Sequence, residues 1–192
     1  MKNILFLFIS FFILTGCDDG DIIVKDFDFS NSALKTCEGR GFYVFYKENP
    51  ESFETLSLEL SFTEDLYAEE GIKVFQLNPS GNMVHYRRHD GSVGNNYFCS
   101  HIPPSSPKVI EEYTGVSGLA EVTVQFEIEG DLYKNINSNS FEDENQPEIA
   151  ERTIKKHVSI LLKNLVLVKD NERIILETMD LGTIENVRVI EN

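Results

Sequence analysis

The chain has no tryptophan, only three cysteines and three methionines, and 17 basic residues against 32 acidic ones in 192 positions. With so few bases, and a formal net charge of -15, nucleic acid is excluded as a partner, because phosphate backbones are held by clustered Lys and Arg. Six prolines and 12 glycines are too few for a collagen-like or low-complexity chain. No Gly-x-Ser-x-Gly elbow, phosphate-cradling glycine loop or solenoid repeat occurs. The N-terminal apolar run, residues 4–14 broken only by Ser10, would rise about 16 Å as a helix, well short of a hydrocarbon core of roughly 30 Å. What the chain does have is 41 % apolar and 11 % aromatic residues, enough to build the core of one domain.

Met1-Lys2-Asn3 places one positive charge ahead of that run, and Leu14-Thr15-Gly16-Cys17 closes it. A charged start, an apolar middle and small residues at the end have the form of a secretory signal. With its terminal cysteine the segment resembles the lipobox of bacterial lipoproteins; an ordinary signal peptide followed by an unrelated cysteine is the alternative. The resemblance implies a signal peptide over residues 1–16, cleavage before Cys17, a diacylglycerol thioether on its sulfur and an acylated new amine. Two or three acyl chains anchor firmly where one does so only marginally, at about 0.8 kcal/mol per buried CH2. Removing residues 1–16 takes away Lys2 and no acid, leaving 16 bases against 32 acids. Residues 17–21 then form an acidic tether, Cys17-Asp18-Asp19-Gly20-Asp21, that an anionic headgroup surface repels. An acidic run after the cysteine also resembles the surface-export signal of lipoproteins from Bacteroidetes-type bacteria, whereas in enterobacteria aspartate there implies inner-membrane retention. The expected location is the cell envelope, lipid-anchored in the outer membrane, with periplasmic and surface faces both open.

With Cys17 used by lipid, Cys37 and Cys99 remain as an even pair in an oxidising compartment and are expected to form a disulfide. Their bridge would close about 63 residues and stabilise the fold by ~4 kcal/mol on the chain-entropy model. Two buried free thiols are the alternative. A catalytic thiol is disfavoured, since neither cysteine has a basic cluster nearby in sequence to activate it.

The body reads as strands. Leu56, Leu58, Leu60 and Phe62 alternate with Ser57, Glu59 and Ser61, and Val122, Val124, Phe126 and Ile128 alternate with Thr123, Gln125, Glu127 and Glu129. Residues 41–46 are apolar on both faces, as in a strand covered on both sides. Residues 72–77 and 83–88 flank Asn78-Pro79-Ser80-Gly81-Asn82 and are expected to pair as a hairpin. Residues 156–168 should pair with 173–179 through Lys169-Asp170-Asn171-Glu172, with a bulge near Asn164 where the apolar positions change face. Residues 62–71 offer at most two helical turns before Gly71. Residues 131–152 read as a polar surface loop, and Ile102-Pro103-Pro104-Ser105-Ser106-Pro107 as a proline-rich crossover. The expected fold is all-β: residues 22–192 as a single antiparallel β-sandwich, immunoglobulin-like or jelly-roll, stapled by the disulfide.

The Cys17-Asp18-Asp19-Gly20-Asp21-Ile22-Ile23-Val24 segment, Tyr43-Val44-Phe45-Tyr46-Lys47, Tyr97-Phe98-Cys99-Ser100 with the proline-rich stretch, and Asn164-Leu165-Val166-Leu167-Val168 together resemble an uncharacterised family of flavobacterial lipoproteins. That resemblance implies export and a β-rich body, and implies no activity.

Candidate chemistry is sparse. His85 and His89 would share a strand face and could meet His101 at a metal, but Arg87 lies between them and its charge opposes a cation. Glu142, Asp143, Glu144 and Glu148, or Asp18, Asp19, Asp21, Asp26 and Asp28, supply the hard oxygens calcium uses, without the glycine-centred spacing of a calcium loop. Tyr86, Tyr97 and Tyr113 could stack on sugar rings if exposed, although packing in a core or edge is the commoner use. The reading that results is an envelope-anchored binding or structural module whose partner is an envelope protein or glycan. A glycan hydrolase with two paired carboxylates, and a calcium-stabilised adhesin, are the alternatives.

Overall fold

In the computed structural model the described residues are 21–190 apart from 26, 40–41, 62–64, 95–96, 101, 103 and 130–151. Among them there are nine strands and no helix: β1 (Asp21–Ile22), β2 (Lys35–Gly39), β3 (Phe42–Asn49), β4 (Glu54–Ser61), β5 (Gly71–Gln76), β6 (Met83–His89), β7 (Val109–Glu129), β8 (Arg152–Lys169) and β9 (Glu172–Ile190). They join in one sheet, in the order β1-β9-β8-β7-β6-β4-β3-β2, with β5 beside β7. Every pairing is antiparallel except β1 with β9. The all-β expectation holds, and the strands form one connected sheet rather than two.

The expected hairpin of residues 72–77 with 83–88 does not form. Instead β5 and β6 lie end to end along the same edge of β7, β6 against its first residues and β5 against residues 119–124. The connection folds on itself to allow this: Asn82 donates from its side chain to Gln76 O, and the Asn78 carboxamide accepts from Ser80 N. Asparagine side chains that satisfy nearby backbone make such loops self-contained, so the flanking strands are free to find other partners.

β7, β8 and β9 are long, and the positions they turn to the core shift along their length. The switch expected near Asn164 is there: Asn164 has φ 50°, and the β7–β8 register shifts between Gly115 and Leu119 opposite it. Asparagine tolerates this left-handed backbone better than most residues. Gly118, at φ 137°, has no such freedom to change, because a Cβ there would sit 3.0 Å from Leu165 Cα. These bulges bend the sheet over its concave face. A methyl group on Gly182 of β9 would come within 3.8 Å of Leu34 and the Lys47 amine, although β9 and β3 stand far apart in the strand order.

The concave face carries the core. Leu56, Leu58 and Leu60 of β4 and Val84 and Tyr86 of β6 meet Ala120 and Val122 of β7 and Val158, Ile160, Leu162, Leu165 and Leu167 of β8 in one buried cluster. Tyr67, from the turn after β4, packs edge-on against Tyr43 at 5.5 Å. Lys156 donates to Tyr67 O, and Lys73 to Leu66 O at 3.0 Å, so the amines satisfy carbonyls that the turn leaves open.

Residues 23–25 and 27–34, between β1 and β2, pack over this core. Phe29 is buried, Phe27 meets Tyr86 edge-on at 4.8 Å, and Ser32 donates to Glu48 O at 2.6 Å. Lys25 lies 4.3 Å above the Tyr86 ring and 3.3 Å from Glu111. Glu111 also receives Lys169 at 3.0 Å and Arg88 at 3.3 Å. Burial alone would raise its pKa, but hydrogen bonds from Lys169, Lys25 and Arg88 hold the carboxyl at about 2. The β1–β2 connection, the β8–β9 turn and β6 are thus tied at a single carboxylate.

Candidate functional site

β3 is buried on both faces, as its apolar pattern implies, whereas on β4 the sequence expectation of a wet face fails. Ser57 is buried, although the alternation of β4 assigns it to solvent, and so is Thr55 beside it on the same face. They are covered by the chain between β6 and β7, which turns back over the sheet and is held there by the Cys37–Cys99 disulfide, with Cα atoms 5.5 Å apart. Cys37 lies within β2, and Cys99 in a turn. Aromatic contacts seat the cover. Phe98 lies 4.6 Å from Tyr46, Tyr97 5.1 Å from Phe98, and His89 meets Tyr97 edge-on at 5.2 Å. Residues 104–108 run outside any strand, as proline requires.

Cover and sheet do not close completely. Between them is a groove of about 570 Å3. Phe42, Val44, Met83, Phe98 and Val109 supply apolar walls, and Ser57, Glu59, His85, Arg87 and Glu112 supply polar groups. The polar groups are ordered by strand pairing. Ser57 of β4 lies opposite His85 of β6, and Arg87 opposite Glu112 of β7. Glu112 Oε1 accepts from Arg87 at 2.8 Å and lies 2.8 Å from His85 Nδ1. Burial lowers the His85 pKa, Arg87 adds to the effect, and Glu112 opposes it without reversing it. The imidazole is therefore neutral near pH 7, with Nδ1 donating to Glu112 and the Nε2 lone pair left to accept. His89 is almost wholly buried; its Nε2 pairs with Thr55 Oγ1 at 3.0 Å, and Nδ1 has no partner among the described residues. Burial, then Arg87, keeps it neutral as well.

The structure separates most of the residues singled out from sequence. His85 and His89 belong to different contacts, with Arg87 engaged by Glu112 between them, and His101 lies outside the described residues. No cluster of three or more possible metal ligands occurs among the described residues. Glu142, Asp143, Glu144 and Glu148 lie outside the described residues, as does Cys17. Tyr86 and Tyr113 are buried in the concave core, where their hydroxyls donate to Glu54 and Glu172 at 2.5 Å. Burial and these carboxylates push both phenols well above their ordinary pKa. They offer no face to a sugar, and of the three tyrosines only Tyr97 reaches the groove.

Sequence reasoning missed Glu59 and Glu112 as groove residues. No local signal could have found them, since what joins them is strand order. No known protein family, no curated protein and no solved structure matches this chain.

Proposed function

We propose that the chain is an envelope lipoprotein, cleaved before Cys17 and lipid-anchored there, whose body binds an envelope glycan or protein segment in the groove. The observation that carries this reading is the groove's make-up. Apolar walls, a neutral His85 acceptor and the Arg87–Glu112 donor–acceptor pair suit a ligand with one apolar face and alternating hydroxyl or amide groups. Both a sugar ring and an extended peptide have that form. The bent sheet acts in this reading as a sandwich formed from one sheet, of the immunoglobulin-like or jelly-roll kind, and displays the groove on its outside.

Capture from solubilised envelope by the anchored protein tests the reading. Met83→Trp fills the groove and should lose the captured ligand, while Val74→Asp on β5 should keep it. Equal capture by both would overturn the reading. A hydrolase is the second reading, because two carboxylates, Glu59 and Glu112, line the same cleft. Glu112 is held by Arg87 and His85, so Glu59 would have to be the proton donor. Release of reducing ends from envelope glycan, abolished by Glu59→Gln, would favour it over binding alone.

A further inference from the structure

The short tether and the Glu111 node together constrain how the body meets its membrane. Four peptide spacings separate Cys17 from Asp21, at most about 14 Å at full extension. At Asp21 the chain is already fixed: its N–H donates to Asn171 O at 2.8 Å, in the β8–β9 turn. Lys25, four residues on, is bound at Glu111 together with Lys169 and Arg88. Whatever holds Cys17 must therefore lie close to this end of the sheet, where β6 finishes, β7 begins and β8 turns into β9.

Apolar side chains are left uncovered at that end, as others are on β5 (Ile72 and Val74) and at Ile102, Val116 and Ile175. Val24, beside Lys25, is 97 % exposed, and Ile22 is 69 % exposed. Ile110, the neighbour of Glu111, is an extra residue between paired positions of β6 and β7 and is 54 % exposed. Phe53, whose carbonyl accepts from His89 N at 2.9 Å, is 39 % exposed in the β3–β4 turn. These residues come from three separate stretches of the chain, and the strand registers bring each of them to this end of the fold. Exposed apolar groups at an end held this close to a lipid anchor are placed to contact it. Lys108 and Arg88 stand among them, but so do Asp90 and Asp170, so charge gives no net attraction and apolar contact has to carry the docking.

We infer that this end, with Ile22, Val24, Phe53 and Ile110, seats against the lipid surface that holds the chain's own anchor. The inference rests on lipidation of Cys17. The body then does not swing on its tether: β7 runs away from the bilayer, and its far end stands furthest from it. Val109 and Glu112 are the groove residues of β7, and they lie toward the membrane.

The absence of tryptophan makes the test clean. Full-length lipidated protein carrying Ile110→Trp, Phe53→Trp or Val74→Trp is reconstituted in phosphatidylcholine vesicles with brominated acyl chains. Val74, on β5, lies about 35 Å along β7 from Ile110 at the rise of an extended strand. Quenching at positions 110 and 53 should be at least about twofold stronger than at position 74, since an interfacial contact sits within some 5–10 Å of the acyl boundary. Hydrogen exchange of the unsubstituted chain supplies a readout that needs no variant: amides of residues 109–113 should slow in vesicles relative to detergent. Lipid on Cys17 by intact mass with equal quenching at all three positions and no slowing would overturn the seating alone. An unmodified Cys17 would overturn the anchor and the seating together.

Discussion

The two faces of β4 and β6 are covered by different means, and the difference decides what each can do. On the concave face Leu56, Leu58, Leu60, Val84 and Tyr86 are buried by strands of the same sheet curling over them. On the other face Thr55, Ser57, His85 and His89 lie beneath a connection pinned at Cys37 and Cys99. A face closed by interdigitating apolar strands packs to crystal-like density and leaves no room for a ligand. A face closed by a loop is held at one covalent point and a few ring contacts. It can keep polar groups and a groove, and it depends on that one point.

Breaking the staple should have the largest effect. The double substitution Cys37→Ser with Cys99→Ser is expected to cost about 4 kcal/mol, measured by urea unfolding, on the chain-entropy model. Hydrogen exchange should rise in the cover before it rises at Tyr113 in the core; equal loss on both faces would end the distinction. Next, Leu58→Ala should cost about 3 kcal/mol, whereas its sequence neighbour Ser57→Ala should cost less than about 1 kcal/mol, because only the first leaves a cavity in packed core. Comparable costs in chemical denaturation would mean that the outer face is packed as tightly as the inner.

Glu111→Ala should cost about 1–2 kcal/mol, discounted for the solvent that reaches its partners, since it leaves Lys25, Lys169 and Arg88 facing one another. With its folded pKa below the unfolded value, this carboxylate's contribution is complete above about pH 4.5 and disappears as pH falls toward 2. Thermal melts of wild type and variant should therefore converge in acid. The smallest effect belongs to the histidines of the outer face. His85 and His89 have folded pKa values below the unfolded one, so the unfolded chain binds more protons as pH falls through about 6.5. Their stabilisation is complete above that pH and is lost below it. Melting points of wild type should fall by a few degrees between about pH 7.5 and 5.5, and by less in His89→Gln.

Local pattern made the strands legible wherever one face is apolar. Leu56, Leu58 and Leu60 announce β4, and the change of face at Asn164 announces the bulge in β8. Pairing partners were not legible in the same way. The Asn78-Pro79-Ser80-Gly81-Asn82 connection has the composition of a hairpin turn, yet its strands run end to end along β7, because the loop satisfies its own backbone. Of the candidate site, His85, Arg87, Tyr97 and the disulfide were legible. Glu112 lies 25 residues from Arg87 and becomes its partner only through the β6–β7 register.

By itself the sequence determined that the chain is built of strands, which side of most of them is apolar, and that two cysteines were available to bridge. Those are properties of spacing and composition, and they survive any choice of partner. Only the tertiary structure decided that the strands join one curled sheet, that Ser57 and His85 are covered, and that Glu111 gathers three distant cations. Those outcomes depend on strand order and on where a long connection lies, which neighbouring residues along the chain do not encode.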